Sequence, residues 1–256
     1  MQPSIKISFC VTCCNRLWQL KQTLQHNLDN LPDDFEITLV DYRSPDGLSE
    51  WIWDNFKVYI ERQKLNFFEV KNDISWNVSK AKNLAHRISN GQYLFNLDAD
   101  NFISAEDIAL ILKSYRLNFP LHQWSGVWSD GSYGRIGMPR SLFFKLGGYD
   151  ESMMPMGGQD TDLIERINRL RVAISKLPPP KIKAIENTIE DKVSQVNYLS
   201  KNSADLYAVF NTLNQHQSKL RLETEGALRQ DGFATFKGLL NGKPIIIDGL
   251  NEIRSY

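Results

Sequence analysis

The sequence predicts an α/β protein: a mostly parallel sheet with helices on both faces, followed by a small helical and hairpin appendage. Two observations carry this. Over residues 5–98, four apolar, β-branched segments alternate with three helical patterns. Such alternation forces parallel pairing, because each helix returns the chain to the same end of the sheet. After residue 103 the alternation gives way to helices, a Gly-, Ser- and Trp-rich stretch and a closing hairpin signal.

Residues 5–14, "IKISFCVTCC", read as the first strand. Leu17, Leu20, Leu24 and Leu28 recur at helical spacing, so a helix spans 17–28. "FEITLVDY", 35–42, is a second strand, "SPDG", 44–47, a turn, and "LSEWIWDNF" starts a second helix. "KLNFFEV", 64–70, is a third strand, and "SKAKNLAHRIS", 79–89, a helix ended by Asn90-Gly91. "QYLFNLD", 92–98, is the fourth strand. A helix follows over 104–118, and 120–135, "PLHQWSGVWSDGSYGR", has the composition of a mobile loop over a site. "SLFFKLGGYDE" is a short helix and turn, "TDLIERINRLR" an amphipathic helix, and "LPPPKIKAIEN" a proline break followed by a strand. Residues 203–230 form a long polar helix, and Asn241-Gly242 marks a hairpin. The expected division is a domain over 1–198 and an extension over 199–256.

Lys+Arg and Asp+Glu are each 30, so the formal net charge is zero. That excludes a nucleic-acid binder driven by phosphate attraction. No apolar run reaches the roughly 18 residues of a membrane span, and the N-terminus enters a strand without a signal-peptide pattern. The expectation is a cytoplasmic protein, with at most peripheral association at the inner face of a membrane. Cys10 and Cys13 form a C-x-x-C with no second pair, so with Cys14 they read as buried thiols of a first strand in a reducing compartment.

In an open parallel sheet, ligands bind beyond the carboxyl ends of the strands. Asp98 and Asp100, in "YLFNLDADNFIS", stand where the fourth strand ends. Side chains two apart on a strand point the same way, so D-x-D aims two carboxylates at one point. That suits a hard cation such as Mg²⁺ or Mn²⁺, which can hold a diphosphate in turn. The competing structural reading is a pair of loop aspartates that caps the next helix. Context favours the ligand. Asp41 ends the second strand at the same crevice, and its carboxylate can accept a uracil N–H. Thr12 and Arg16 end the first strand, where a guanidinium suits a phosphate. Lys80 and Lys82 open a helix, an anion site, which outweighs the competing reading of Lys82 as part of a solvated face.

A second cluster lies in "LGGYDESMMPMGGQDTDLIERI", 146–167. Asp162-x-x-Glu165 fits a capping box with Asp162 as N-cap. Asp160 precedes it on a Gly-Gly-Gln turn, near a helix start that favours its charge. An ionised carboxylate there can act as a general base. His216 reads as a surface residue of the long helix.

Together these residues resemble an inverting glycosyltransferase of the GT-A fold. "LVDYRSPDGLSEWI" is similar to the "V-D-x-x-S-x-D-G-T" segment of the large family 2 of bacterial glycosyltransferases. "SKAKNLAHRISNGQYLFNLDAD" is similar to its "A-R-N-x-G … G-x-x-L-x-x-L-D-x-D". "GRIGMPRSLFFKLGGYDESMMPMGGQDTDLIERI" resembles the galactosyltransferase motif "F-x-x-x-G-G-[FY]-D-E … G-G-E-D-x-D-L". The resemblance spans roughly residues 5–195. It implies a Rossmann-like GT-A sheet and transfer of a hexose or N-acetylhexosamine from a UDP-sugar to a hydroxyl of a glycan or lipid-linked acceptor. It implies that Asp41 binds uracil beside Thr12 and Arg16, that Lys80 lies near the diphosphate, and that Asp98 contacts ribose or a metal-bound water. Asp100 would ligate Mn²⁺ or Mg²⁺, and Asp160 would deprotonate the acceptor. Gly134, Arg135, Gly158, Gln159 and Asp162 would line the donor sugar and acceptor. Trp124, Trp128 and Tyr133 could stack on sugar faces or simply pack their loop. Two departures stand out. Gln159 replaces the motif's Glu, and the metal-binding His some thirty residues after the base is missing, leaving Glu186 or Asn187 as candidate oxygen ligands.

The alternative is a non-catalytic sugar-nucleotide or glycan-binding module on the same fold. The presence of both Asp160 and the D-x-D favours the enzyme. A nucleotidyltransferase would need a Gly-rich loop after the first strand, and "VTCCNRLWQ" has no glycine.

Overall fold

The computed structural model describes residues 5–72, 74–128, 130–193, 203–249 and 253–255. The first half runs β1 (Ile7–Cys13), α1 (Leu17–Asp29), β2 (Phe35–Asp41), α2 (Leu48–Glu61), β3 (Leu65–Val70), α3 (Val78–Ile88) and β4 (Tyr93–Asn96). Then come α4 (Ala105–Leu117), β5 (Leu121–His122), β6 (Ile136–Pro139), α5 (Arg140–Leu146), α6 (Gln159–Arg169) and β7 (Ser175–Lys176). The rest is α7 (Ile189–Val193), α8 (Ser203–Thr224), β8 (Phe236–Leu240), β9 (Lys243–Ile247) and β10 (Ile253–Ser255).

All strands join one sheet, ordered β10-β9-β8-β3-β2-β1-β4-β6-β5-β7. The central β3, β2, β1 and β4 are parallel, as the alternation requires. Both faces of these strands are covered, which is why they read as continuous apolar runs. Phe9, Ile37, Phe67 and Phe95 pack with Leu20 and Leu24 of α1 and Ile52 of α2 on one face. Cys10, Val40, Phe68 and Leu94 pack with Leu84 of α3, Phe143 of α5 and Leu163 of α6 on the other. Antiparallel β6 borders β4, and antiparallel β8 borders β3.

The expected hairpin forms at Asn241-Gly242, but it continues the main sheet: Phe68, Glu69 and Val70 pair with Leu240, Leu239 and Gly238. The expected boundary at 198/199 lies outside the described residues. The expected strand in 177–187 does not form. The two-residue β7 precedes Pro178, Pro179 and Pro180, whose missing N–H groups cannot feed a ladder. The chain instead crosses the carboxyl end of the sheet, where Ile185 N–H donates to the Asp100 carbonyl at 2.9 Å. α8 stops at Thr224, short of the expected 230, and Gly226 turns the chain with φ +82°. No helix among the described residues is long and apolar enough to cross a membrane.

Candidate active site

The carboxyl ends of β1, β2 and β4 form one wall. Two loops there are tied together: Ser44 Oγ accepts from Asn15 N–H at 2.6 Å, and Asp46 accepts from Leu17 N–H at 2.8 Å. The "SPDG" turn therefore caps α1, whose own N-cap residue, Arg16, makes no capping bond. Asp41 is the last residue of β2, in register with Cys13, and half-buried Thr12 pairs with Val40. The Asp41 carboxylate accepts from Ser44 N–H at 2.7 Å. Burial pushes it up to about 7, with Glu69 and Asp46 adding to the rise against that one bond. The Cys10, Cys13 and Cys14 thiols are buried, and burial raises all three, as expected of inert packing thiols.

Asp98 and Asp100 lie just beyond β4, in a turn closed by Asn101 N–H on the Asp98 carbonyl at 2.9 Å. They do not cap the next helix, because Ser104 and Asp107 form a full capping box on α4. Asp98 keeps 37% of its side chain exposed and accepts from Asn96 Nδ2 at 3.1 Å. Asp100 is buried and accepts from Asn101 Nδ2 at 2.7 Å and from Asn187 Nδ2. Burial, reinforced by the Asp98 charge, raises its carboxyl to about 6. The Asn187 carbonyl accepts from Arg16 Nη1 at 2.6 Å and from Gln19 Nε2, so one amide bridges the Arg16 guanidinium and Asp100. Glu186 is exposed and makes no such link.

Lys82, on α3, is the cation at the centre. Its Nζ lies 2.8 Å from Asp160 Oδ1 and 3.5 Å from Asp98 Oδ1, with the Tyr149 ring 5.3 Å away. Burial opposes its charge, but Asp160 and Asp98 outweigh burial and hold the ammonium above its ordinary range. The resemblance names Lys80 as the lysine near the diphosphate. Two residues on a helix stand about 200° apart, and Lys80 instead lies where its charge acts on Glu151. Lys82 occupies the second position of the quoted "A-R-N" segment, a signal that was available. Asn96 carried none.

Gly134 explains how Asp98 and Asp160 approach each other. A Cβ there would stand 2.7 Å from Asp98 Oδ2 and 3.4 Å from Asp160 Oδ2. Its carbonyl is held by Asn96 Nδ2 at 2.8 Å. Arg135, expected beside it at the sugar, faces inward. It is buried, and its guanidinium donates to Gln123, Asn101 and the Phe102 carbonyl, with Asp107 at 3.6 Å.

α6 begins at Gln159, with Gly158 as N-cap at φ +84° and no side-chain cap. Asp160 and Asp162 both fall in its first turn, so Asp162 is not the N-cap. It is fully buried, paired with Arg166 Nε at 2.7 Å and Arg229 Nη2 at 3.3 Å, and accepts from Ser218 Oγ at 2.7 Å. Gln159 is buried too, with Nε2 on the Met154 carbonyl at 3.0 Å. Only Asp160 of this turn meets the cleft carboxylates. Gly158 abuts α8: a Cβ would lie 3.3 Å from the Asn214 side chain.

The expected loop over the site is stitched to itself. Ser125 N–H donates to Ser132 Oγ at 3.0 Å, Ser132 Oγ donates to Asp130 at 2.7 Å, and Trp124 Nε1 donates to the Val127 carbonyl at 3.2 Å.

A parallel sheet with clustered carboxylates and a buried lysine at its carboxyl end is the frame of a nucleotide-sugar-dependent glycosyltransferase of the GT-A fold. Residues 8–128 match the family model "Glycosyl transferase family 2", and they form a domain of that family. No curated protein matches the chain. Among solved structures, TarS residues 1–349 from S. aureus share 18% identity with a TM-score of 0.56, covering 84% of this chain and 73% of that one. Mannosyltransferase PcManGT from Pyrobaculum calidifontis, solved with GDP-Man and Mn²⁺, shares 15% identity at TM-score 0.55, covering 90% and 77%. GalNAc-T7, solved with UDP, GalNAc and Mn²⁺, shares 15% identity at TM-score 0.57, covering 88% of this chain and 55% of its own. These likenesses establish the fold. The activity that the family gives is transfer of a sugar from a nucleotide sugar.

Proposed function

We propose that the chain transfers a hexose or N-acetylhexosamine from a UDP-sugar to a hydroxyl of a glycan or lipid-linked acceptor, with inversion at the anomeric carbon. The observation that carries this is the placing of Asp98 and Asp160 on either side of Lys82 over the bare Gly134. Solved forms of TarS hold UDP and UDP-GlcNAc, which supports the uracil nucleotide. PcManGT holds GDP-Man, so guanine is the competitor. A buried acceptor at Asp41 favours the single imide N–H of uracil.

The donor set suits a hard divalent cation. Asp98 and Asp100 are adjacent carboxylates whose mutual repulsion a cation would relieve, and the Asn187 amide stands beside them. Among the described residues no third His, Cys, Asp or Glu joins them. Magnesium and manganese accept that, keeping waters and substrate phosphates as ligands. Asp100 would hold the ion, Asp98 would reach it through a water, and Asn187 could offer its carbonyl after an amide flip. When bound, such an ion supplies positive charge to the departing diphosphate.

Asp160 takes the acceptor proton as the hydroxyl attacks. Once Asp160 is neutral, the Lys82 charge is left to Asp98 and the phosphates, so deprotonation and departure support each other. A single displacement from the Asp160 side inverts the anomeric centre. Positioned general bases contribute about 10²–10⁴-fold.

Calorimetry with UDP and GDP in Mn²⁺ tests the donor, with UDP expected to bind tighter. Tighter GDP binding would overturn the uracil assignment. Turnover across a UDP-sugar panel separates the enzyme from a binding module, and product NMR should show the inverted anomer.

A further inference from the structure

The polarity of α8 is reversed. The side that faces the body of the protein carries Phe210, Asn214 and Ser218, all buried. Asn214 accepts from Met154 N–H at 2.8 Å and donates to the Gly157 carbonyl at 2.7 Å, and Ser218 Oγ donates to Asp162 at 2.7 Å. Beyond Phe210, then, hydrogen bonds hold this face. The apolar residues lie outside: Val209 is 50% exposed, Leu213 48% and Leu220 60%. Single exposed leucines need no explanation. A helix that turns an amide inward and its leucines outward does.

Leu206, Val209, Leu213, His216 and Leu220 recur at alternating steps of three and four. That is the a/d seam of a coiled coil, a band along one side of the helix. Ala208, Val209, Thr212 and Leu213 line a shallow hollow on it, a shape that a knob from a facing helix fills. Asp205, Thr212 and Lys219 recur every seventh residue along the outer border of the band, and Asp205 and Lys219 are both exposed. One end of that border is acidic and the other basic. A second copy laid antiparallel, centred near residue 211, brings its Leu213 opposite Val209. Its Lys219 then comes within two residues of Asp205 along the axis, about 3 Å, and two-fold symmetry repeats the pair. A parallel copy would set this border against the one that carries Phe210 and Gln217, neither of them charged. A membrane surface is a poorer match, because an interfacial helix flanks its apolar band with Lys and Arg. Here Lys219 is offset by Asp205 and Glu223.

We propose that α8 is the interface between two copies of this chain, packed antiparallel through Val209 and Leu213 and held in register by Asp205 and the second copy's Lys219. One helix pair lies at the low end of specific interface sizes, so the association is micromolar. The inner face of the same helix bonds the loop that leads to Gly158, the N-cap of α6, so pairing braces that loop from behind. The proposal does not use the donor or base assignments, and its failure leaves them standing.

Sedimentation velocity on the full chain between about 1 and 200 µM tests it. The wild type should shift from monomer to dimer across that range. Leu213→Glu should weaken the dimer about tenfold or more, with its far-UV circular dichroism unchanged. Asp205→Lys should weaken it about fivefold by setting like charges together, and Asp205→Lys with Lys219→Asp should restore the wild-type value. A wild type that stays monomeric throughout overturns the proposal, as does a dimer indifferent to Leu213→Glu or a double variant that fails to recover. Flotation with phosphatidylglycerol vesicles that needs Leu213 while the chain stays monomeric would overturn it in favour of a membrane contact.

Discussion

Asp160 and Asp162 are two residues apart in the same helical turn, yet they belong to different worlds. Asp162 sits under the sheet's edge with Arg166, Arg229 and Ser218 around it, and nearby Asp150 meets Arg221 and Arg229 at 2.9 Å. Cations match carboxylates there, and no capacity is left for a ligand. Asp160 shares a single lysine with Asp98, and Asp100 meets the Arg16 guanidinium through the neutral Asn187 amide. The cleft is left short of positive charge, which is what a proton or a cation needs to find. Residue type does not separate structural from chemical carboxylates; the local charge balance does.

The largest effect should come from Asp162→Ala. It strands Arg166 and Arg229 in a buried site and should cost about 3–5 kcal/mol in urea unfolding. Asp160→Asn leaves Lys82 paired with Asp98, so it should lower the unfolding midpoint much less than Asp162→Ala while lowering sugar transfer by roughly 10²-fold or more. Equal loss of stability in the two variants would erase the distinction. Next comes pH. Asp41, raised by burial to about 7, is neutral below that value and charged above it. A uracil N–H bonds the charged carboxylate more strongly than the neutral acid, so UDP affinity should weaken as pH drops below about 7. Asp41→Asn should flatten that slope, and a slope unchanged in Asp41→Asn would remove Asp41 from the base pocket. Asn187→Ala should be mildest, a few-fold loss of Mn²⁺-dependent UDP affinity by calorimetry, because water can replace one oxygen ligand. An unaltered affinity would place the amide away from the cation.

The parallel core was legible because strands buried on both faces leave unbroken apolar runs, as in "FEITLVDY". That Asp41 and the D-x-D stand at the carboxyl end of the sheet was legible because each directly follows an apolar strand run. What failed was whatever depended on partners distant in the chain. Asp162 looked like a cap because Glu165 is near, whereas besides Arg166 its partners are Ser218 and Arg229, more than fifty residues away. Arg135 looked available because nothing local announces that Gln123 and Asn101 surround it. The choice between Lys80 and Lys82 turned on helix phase, which depends on where α3 starts. The proline segment was expected to lead into a strand, but Ile182 and Ile185 are three apart and would face opposite sides of one, and three prolines precede them.

The union of α6 with the C-terminal segment has a consequence for biosynthesis. The arginines at 221 and 229 and strand β8 emerge from the ribosome after every residue of the donor cleft. Until they arrive, Asp150 lacks its arginines, Asp162 has only Arg166, and β3 presents an open edge. The first half of the sheet can fold early, from contacts near in sequence, while the helix that carries Asp160 is locked only once residues 221–240 have been made. A chain stalled or clipped before residue 236 would expose the bare edge of β3, a template for wrong strand pairing and aggregation.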